Sequence, residues 1–303
     1  MISKEDCWIG KSDRDREVST LISLLDDPDE TILPVVAEKL LTLRPNISML
    51  LAIKSKYGEN TVMYYRLTRM ISDIQKHELE KEIDNWSCVG DPDLLKGLWL
   101  VNRAIYPDIP FEELELFSMD MAKEVWMELT DNKTIVEKVH LFNHVFFHRI
   151  GFKIEDPFLS ELSPALLEYA LQKRLANPVL FGLLYLDVAF RSGLPIRAMA
   201  FPGGYLPVCV DEFDQFLFYI NIFNRGEIFG REQLDFNLRG FGISIPQERF
   251  KICGVFTLTA IYAESLCFIA NSTGNKEMED KMEHILKLFG EERFLIKEED
   301  DDE

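Results

Sequence analysis

Asn177-Pro178-Val179-Leu180-Phe181-Gly182-Leu183-Leu184-Tyr185-Leu186 opens a strongly apolar helix that stops at Gly193-Leu194-Pro195, and there the sequence changes period. Pro at the start and Gly-x-Pro at the end are ordinary helix punctuation. The residues that follow form short apolar runs, Ile196 to Phe201, Tyr205 to Val210 and Phe216 to Asn221, separated by turn residues. Such spacing predicts a small antiparallel sheet. One buried helix leading into one sheet, late in a helical chain, defines an α+β protein.

Upstream the pattern is helical throughout. Leu21, Leu24 and Leu25 precede the break Asp26-Asp27-Pro28-Asp29; Val35, Val36, Leu40 and Leu41 continue to Arg44-Pro45-Asn46. Further segments run from Ile47 to Tyr57 and from Thr61 through Ile83. Short paired helices with this turn, followed by Ala37-Glu38-Lys39-Leu40-Leu41, resemble a HEAT-like repeat, although about two pairs are few for a free-standing solenoid. Asp91-Pro92 starts a new helix, and others span Phe111 to Thr130 and Thr134 to Ile150, with another from Ser163-Pro164. Downstream of the sheet, Pro246 is read as starting a helix to about Ala270, with a last one from Lys276 to Phe289. The expected organisation is a HEAT-like segment over 1–86, a central domain over 91–245, a helical segment over 246–290 and an acidic tail over 291–303.

The 303 residues are 47% hydrophobic, enough for a substantial core without metal or disulfide. Lys and Arg number 33 against 52 Asp and Glu, a net charge of −19, and six of those acids lie in 298–303. That balance argues against nucleic acid, which needs a basic surface, and against anionic membranes. Five widely spaced cysteines with no C-x-x-C pair fit neither a zinc knuckle nor a redox motif. No apolar run reaches the roughly 18 residues of a membrane span. The start, Met1-Ile2-Ser3-Lys4, does not read as a signal peptide, so a reducing cytoplasm is expected.

The central region resembles a known family. Leu141-Phe142-Asn143-His144-Val145-Phe146-Phe147 runs into Gly151-Phe152; next come Asn177-Pro178 with Leu183-Leu184-Tyr185-Leu186, Gly193-Leu194-Pro195 and Phe201-Pro202-Gly203-Gly204-Tyr205. Ile220-Asn221-Ile222-Phe223-Asn224-Arg225-Gly226-Glu227 completes the set. In this order they resemble the SirB-type branch of the transglutaminase-like superfamily, over roughly Asp91 to Gln247. The resemblance implies a papain-like core, and the helices after Pro246 would be a remnant of a tetratricopeptide-like segment. Superfamily enzymes use a cysteine at the start of the central helix, a histidine that takes its proton and an aspartate that orients the histidine. The resemblance places these three positions at Pro178, Gly204 and Asn221, none of which can serve. It therefore implies a degenerate member, a pseudoenzyme, with Pro178, Gly204, Tyr205 and Asn221 around a vestigial cleft.

Other constellations offer less. His140, His144 and His148 stack at i, i+4, i+8 on one helix face, with Glu137 near, and could in principle ligate a divalent ion. No H-E-x-x-H accompanies them, and a structural surface face is the expectation. Cys209, in Pro207-Val208-Cys209-Val210, could be a relocated nucleophile, but free cysteine is usually a small core hydrophobe. The glycines at 203, 204, 226, 230, 240 and 242 lack any phosphate-loop motif and read as turns. Arg225 and Glu227 are read as a structural pair. Phe213, Phe216, Phe218, Tyr219, Phe223, Phe229, Phe236 and Phe241 crowd the sheet region, mostly as core with a possible surplus for recognition.

These observations lead to the expectation of a cytoplasmic, non-catalytic scaffold for a neutral or basic protein or peptide, with no cofactor. The competing expectations are a hydrolase or acyltransferase using Cys209 or the histidine face, and a purely structural subunit of a complex.

Overall fold

The computed structural model describes residues 16–27, 29, 31–43, 45–90, 92–156, 158–201, 204–240 and 250–290. The chain divides into two compact units, residues 1–82 and 83–303.

In the first unit, helix α1 spans residues 16–24 and is followed by α2 (Leu33–Leu43), α3 (Ile47–Lys54) and most of α4 (Val62–Ser87). Each carries an apolar stripe at helical spacing. Leu21, Ile22 and Leu25, Val36 and Leu40, Leu50, and Leu67, Met70, Ile71 and Ile74 close into one core. Asn46 caps α3, its side chain accepting from the amide of Ser48. The Arg66 guanidinium donates to the carbonyls of Leu25 at 2.6 Å and Asp27 at 3.1 Å, satisfying the chain just past the end of α1.

The second unit opens with the end of α4, where Trp86 donates through its indole to the carbonyl of Asp93 at 2.9 Å. Asp93 also caps α5 (Leu94–Arg103), so this helix starts after the Asp91-Pro92 signal rather than on it. Helix α6 (Phe111–Glu128) buries Leu114, Ser118, Met121, Ala122 and Val125. Helix α7 (Ile135–His144) starts in a capping box between Thr134 and Glu137 and widens into a π-turn over Val145–Ile150, closed by Gly151. Two-residue strands β1 (Lys153–Ile154) and β2 (Leu175–Ala176) pair in parallel. Between them, Ser163–Ala165 forms one 3-10 turn, and the helix expected from Ser163-Pro164 begins only at Leu167, as α8 (Leu167–Lys173).

Helix α9 (Pro178–Arg191) is the centre of the unit. Every residue from Val179 to Ala189 is buried, which explains a stretch apolar on all sides save for Asp187. The sheet follows as read: β3 (Ile196–Phe201), β4 (Gly204–Val210) and β5 (Phe216–Asn221) are antiparallel neighbours. Strand β6 (Glu227–Phe229) extends it at one edge, and α10 (Arg231–Gly240) comes next.

The other edge corrects the sequence reading. Lys251–Cys253 is a strand, β7, that pairs antiparallel with β3, Ala198 opposite Cys253 and Ala200 opposite Lys251. The last long helices are α11 (Val255–Ser272) and α12 (Lys276–Phe289), so the helical segment expected from Pro246 begins at Val255, and residues 241–249 and the acidic tail lie outside the described residues. Helix α11 is long and apolar enough to cross a membrane, with 67% of it buried in the fold. Within this unit Trp86 packs on Phe256 of α11 and Phe289 of α12 at centroid distances of 5.0 and 5.9 Å.

Candidate functional site

The residues around Pro178 are arranged by the start of α9. Asn177 caps the helix, its side-chain oxygen accepting from the amide of Leu180 at 2.8 Å, while Pro178 takes the first turn, where a missing N–H costs nothing. Gly204 begins β4 opposite Phe201, and Tyr205 follows opposite Ala200. The Tyr205 hydroxyl donates to the carbonyl of Val179 at 2.7 Å. Its ring lies directly over Gly182: a Cβ there would fall 2.3 Å from the phenol oxygen and 2.9 Å from Ile222 Cδ1. Side-chain-free backbone at Gly182 is what allows sheet and helix to meet at this point. Burial pushes the Tyr205 phenol well above its ordinary pKa, so it is a neutral donor here.

Asn221 ends β5 as a turn former. Its side-chain oxygen accepts from the amides of Phe223 at 3.1 Å and Asn224 at 3.2 Å, capping the 3-10 turn Ile222–Asn224. The carbonyl of Asn221 accepts from the amide of Gly226 at 2.8 Å. Gly226 in turn meets buried Asn143 of α7, whose Nδ2 donates to the Gly226 carbonyl at 2.7 Å. Tyr185 of α9 donates to Asn143 Oδ1 at 2.6 Å. Pro178, Gly204, Tyr205 and Asn221 are thus each engaged in local structure. Asn143, Tyr185, Gly182 and Gly226 complete the arrangement. Asn143 and Gly226 stand in the quoted motifs, but their bond spans 83 residues and leaves no mark on local spacing.

A second polar cluster ties α6 to α9. The Ser118 hydroxyl donates to Asp187, and Arg191 Nε donates to the same carboxylate at 3.0 Å while its Nη2 reaches Asp93 at 2.5 Å. Burial raises the Asp187 carboxyl, and the Arg191 charge opposes that shift. The guanidinium, itself held charged by the two carboxylates against its own desolvation, links the end of α9 to the cap of α5.

Cys209 is wholly buried in β4. Burial pushes its thiol up to about 11, and its sulfur lies 3.8 Å from the carbonyl of Val210. His140, His144 and His148 are all exposed on α7 and the π-turn, with the rings of His144 and His148 5.4 Å apart. Glu137 is not offered to them. Its carboxylate accepts from the Thr134 amide at 2.8 Å and the Thr134 hydroxyl, bonds that hold it below the usual carboxylate range. Among the described residues, no three His, Cys, Asp or Glu side chains gather in a metal-holding arrangement. Glu227, read as a partner of Arg225, instead accepts from Asn224 Nδ2 at 2.6 Å. Of the aromatic set, Tyr219 is buried in the sheet, whereas Phe213, Phe223 and Phe236 stand exposed; Phe241 lies outside the described residues. A small cleft of about 120 Å³ lies between α6 and α8, lined by Ile109, Glu113, Phe117, Glu168 and Leu171 and sharing no residue with the Tyr205 region.

Residues 118–252 match the family model described as the transglutaminase-like superfamily, Transglut_core2. The chain is 26% identical over 142 residues to a UPF0162 protein of Vibrio cholerae serotype O1, an alignment covering 47% of this chain and 52% of that one. It is 23% identical over 160 residues to a UPF0162 protein of Xylella fastidiosa strain 9a5c, covering 52% and 55%. The chain spans about half the length of the curated relatives it matches. No solved structure matches it significantly.

Proposed function

We propose that this chain is a non-catalytic, SirB-type transglutaminase-like protein that acts as a protein- or peptide-binding scaffold in the cytoplasm. The observation that carries the reading is the state of the three positions to which the resemblance assigns the triad. Pro178 turns a helix, Gly204 starts a strand, and Asn221 caps a turn with the oxygen an orienting aspartate would have used. No thiolate, base or carboxylate is available there to attack, take a proton or orient a base. The Tyr205 phenol is bonded to the Val179 carbonyl and seated on Gly182, against the first turns of α9.

The competing enzymatic reading draws on Cys209 or the histidine face, and the environment of Cys209 speaks against it as a nucleophile. A thiol with a pKa near 11 is ionised in only about one molecule in a few thousand at pH 7.5. Iodoacetamide at that pH is expected to modify exposed Cys88 readily and to leave Cys209 and Cys267 unmodified until the chain is unfolded. Peptide mapping by mass spectrometry reads the result. Rapid stoichiometric labelling of Cys209 in the native chain would return the enzymatic reading to the front.

A further inference from the structure

Helix α6 presents an unusual outer face. Its inner side packs into the core through Leu114, Met121, Ala122 and Val125, as expected. Outside, Trp126 is 68% exposed, Leu116 64%, Met127 61% and Met119 53%. At about 100° per residue these four fall within an arc of roughly 100°, one continuous apolar ridge along some three turns, broken only by Lys123. Scattered exposed apolar residues are normal, but a periodic row that includes Trp and two Met is the composition of an interface core. Methionine adapts its shape to a partner, and Trp is the commonest hot-spot anchor.

The flanks of the ridge are acidic. Glu112, Glu113, Glu115, Asp120, Glu124 and Glu128 belong to the same helix, against the single basic Lys123. One of them, Glu128, is bridged to Arg149 at 2.7 Å. A second copy of this face would bring carboxylates against carboxylates around an apolar seam, so self-pairing is disfavoured. The complementary surface has an apolar centre with cationic edges, and an exposed helix ridge is best matched by another helix packing its own ridge alongside.

We propose that the outer face of α6 docks a cationic amphipathic helix of a partner protein. The partner's apolar side covers Leu116, Met119, Trp126 and Met127, and its lysines or arginines lie over the flanking carboxylates. This rests on the reading of the chain as a binding protein, and it places the binding surface on α6 rather than at the Tyr205 region.

The test uses the full chain and two labelled 18-residue peptides of identical Lys and Leu content. One spaces its leucines to form a single helical face, and the other scatters them. Fluorescence anisotropy is expected to show the first bound at least about ten-fold more tightly than the second, with Trp126 emission moving to the blue. The combined variant L116S/M119S/W126S/M127S keeps every charge and alters only exposed positions, so its melting temperature is expected to stay close to that of the parent. It should bind both peptides equally. Equal binding by the parent chain overturns the proposal, as does a preference that survives in the folded variant. Concentration-dependent dimerisation abolished by the variant would assign the face to a second copy and likewise overturn it. Failure here is separable from failure of the non-catalytic reading, which is detected by turnover and not by peptide binding.

Discussion

Gly182→Ala is expected to destabilise the chain by about 2–3 kcal/mol, although in an open helix the same change stabilises by about 0.5–1 kcal/mol. The sign is set by Tyr205. An added methyl would stand 2.3 Å from the phenol oxygen and 3.1 Å from Cζ, so the ring must lift away from α9. Lifting it breaks the 2.7 Å bond to the Val179 carbonyl and leaves a buried hydroxyl without a partner, a loss of about 1–3 kcal/mol. Tyr205→Phe removes the nearest clashing atom. The double variant is therefore expected to be more stable than the two single losses added together, with a coupling of at least about 1 kcal/mol. Denaturant unfolding of the four chains measures it. Additive losses would mean that Tyr205 does not occupy the space over Gly182.

Gly226→Ala should cost more, about 4 kcal/mol or beyond. Gly226 adopts φ +77°, a conformation that charges an alanine about 1 kcal/mol. The new Cβ would also lie 2.2–2.3 Å from the side-chain atoms of Asn143. That amide cannot simply swing aside, because it is pinned by Tyr185 at one end and the Gly226 carbonyl at the other. Displacing it forfeits both buried bonds, each worth about 1–3 kcal/mol when a partner is stranded. Combining Gly226→Ala with Asn143→Ala relieves the clash but not the backbone strain, so thermal unfolding of the pair should show partial recovery. A Gly226→Ala protein as stable as the parent would contradict the described junction between α7 and the β5–β6 turn.

The same two sites show how far the sequence could be read. Helix α9 and strands β3 to β5 were legible because their signals are local. Pro178 and Gly193 bracket a predominantly apolar helix, and the strands alternate between turns within forty-five residues of Asn177. Strand β7 was not. Three residues, Lys-Ile-Cys, carry almost no period, and their strand character comes from pairing with β3 about fifty residues earlier. The two-residue strands β1 and β2 fail to announce themselves for the same reason. At the candidate site, Pro178, Gly204 and Asn221 were reached through the resemblance. The contacts that give them structural work were not readable, because Tyr205 meets Val179 across 26 residues and Asn143 meets Gly226 across 83. The exposed ridge of α6 was hidden for a simpler reason. A helix with apolar residues on two faces shows which face is outside only once its neighbours are in place.

The central proposal, that residues 118–252, the stretch similar to the transglutaminase-like superfamily, perform no acyl transfer, is tested most directly by turnover. The purified chain is incubated with a glutamine-containing peptide and a primary amine, and in parallel with an activated acyl ester, while ammonia and alcohol release are followed. Release no faster than that from Cys209→Ser or heat-denatured protein is the predicted result. Saturable release by the native chain that disappears in Cys209→Ser would contradict it.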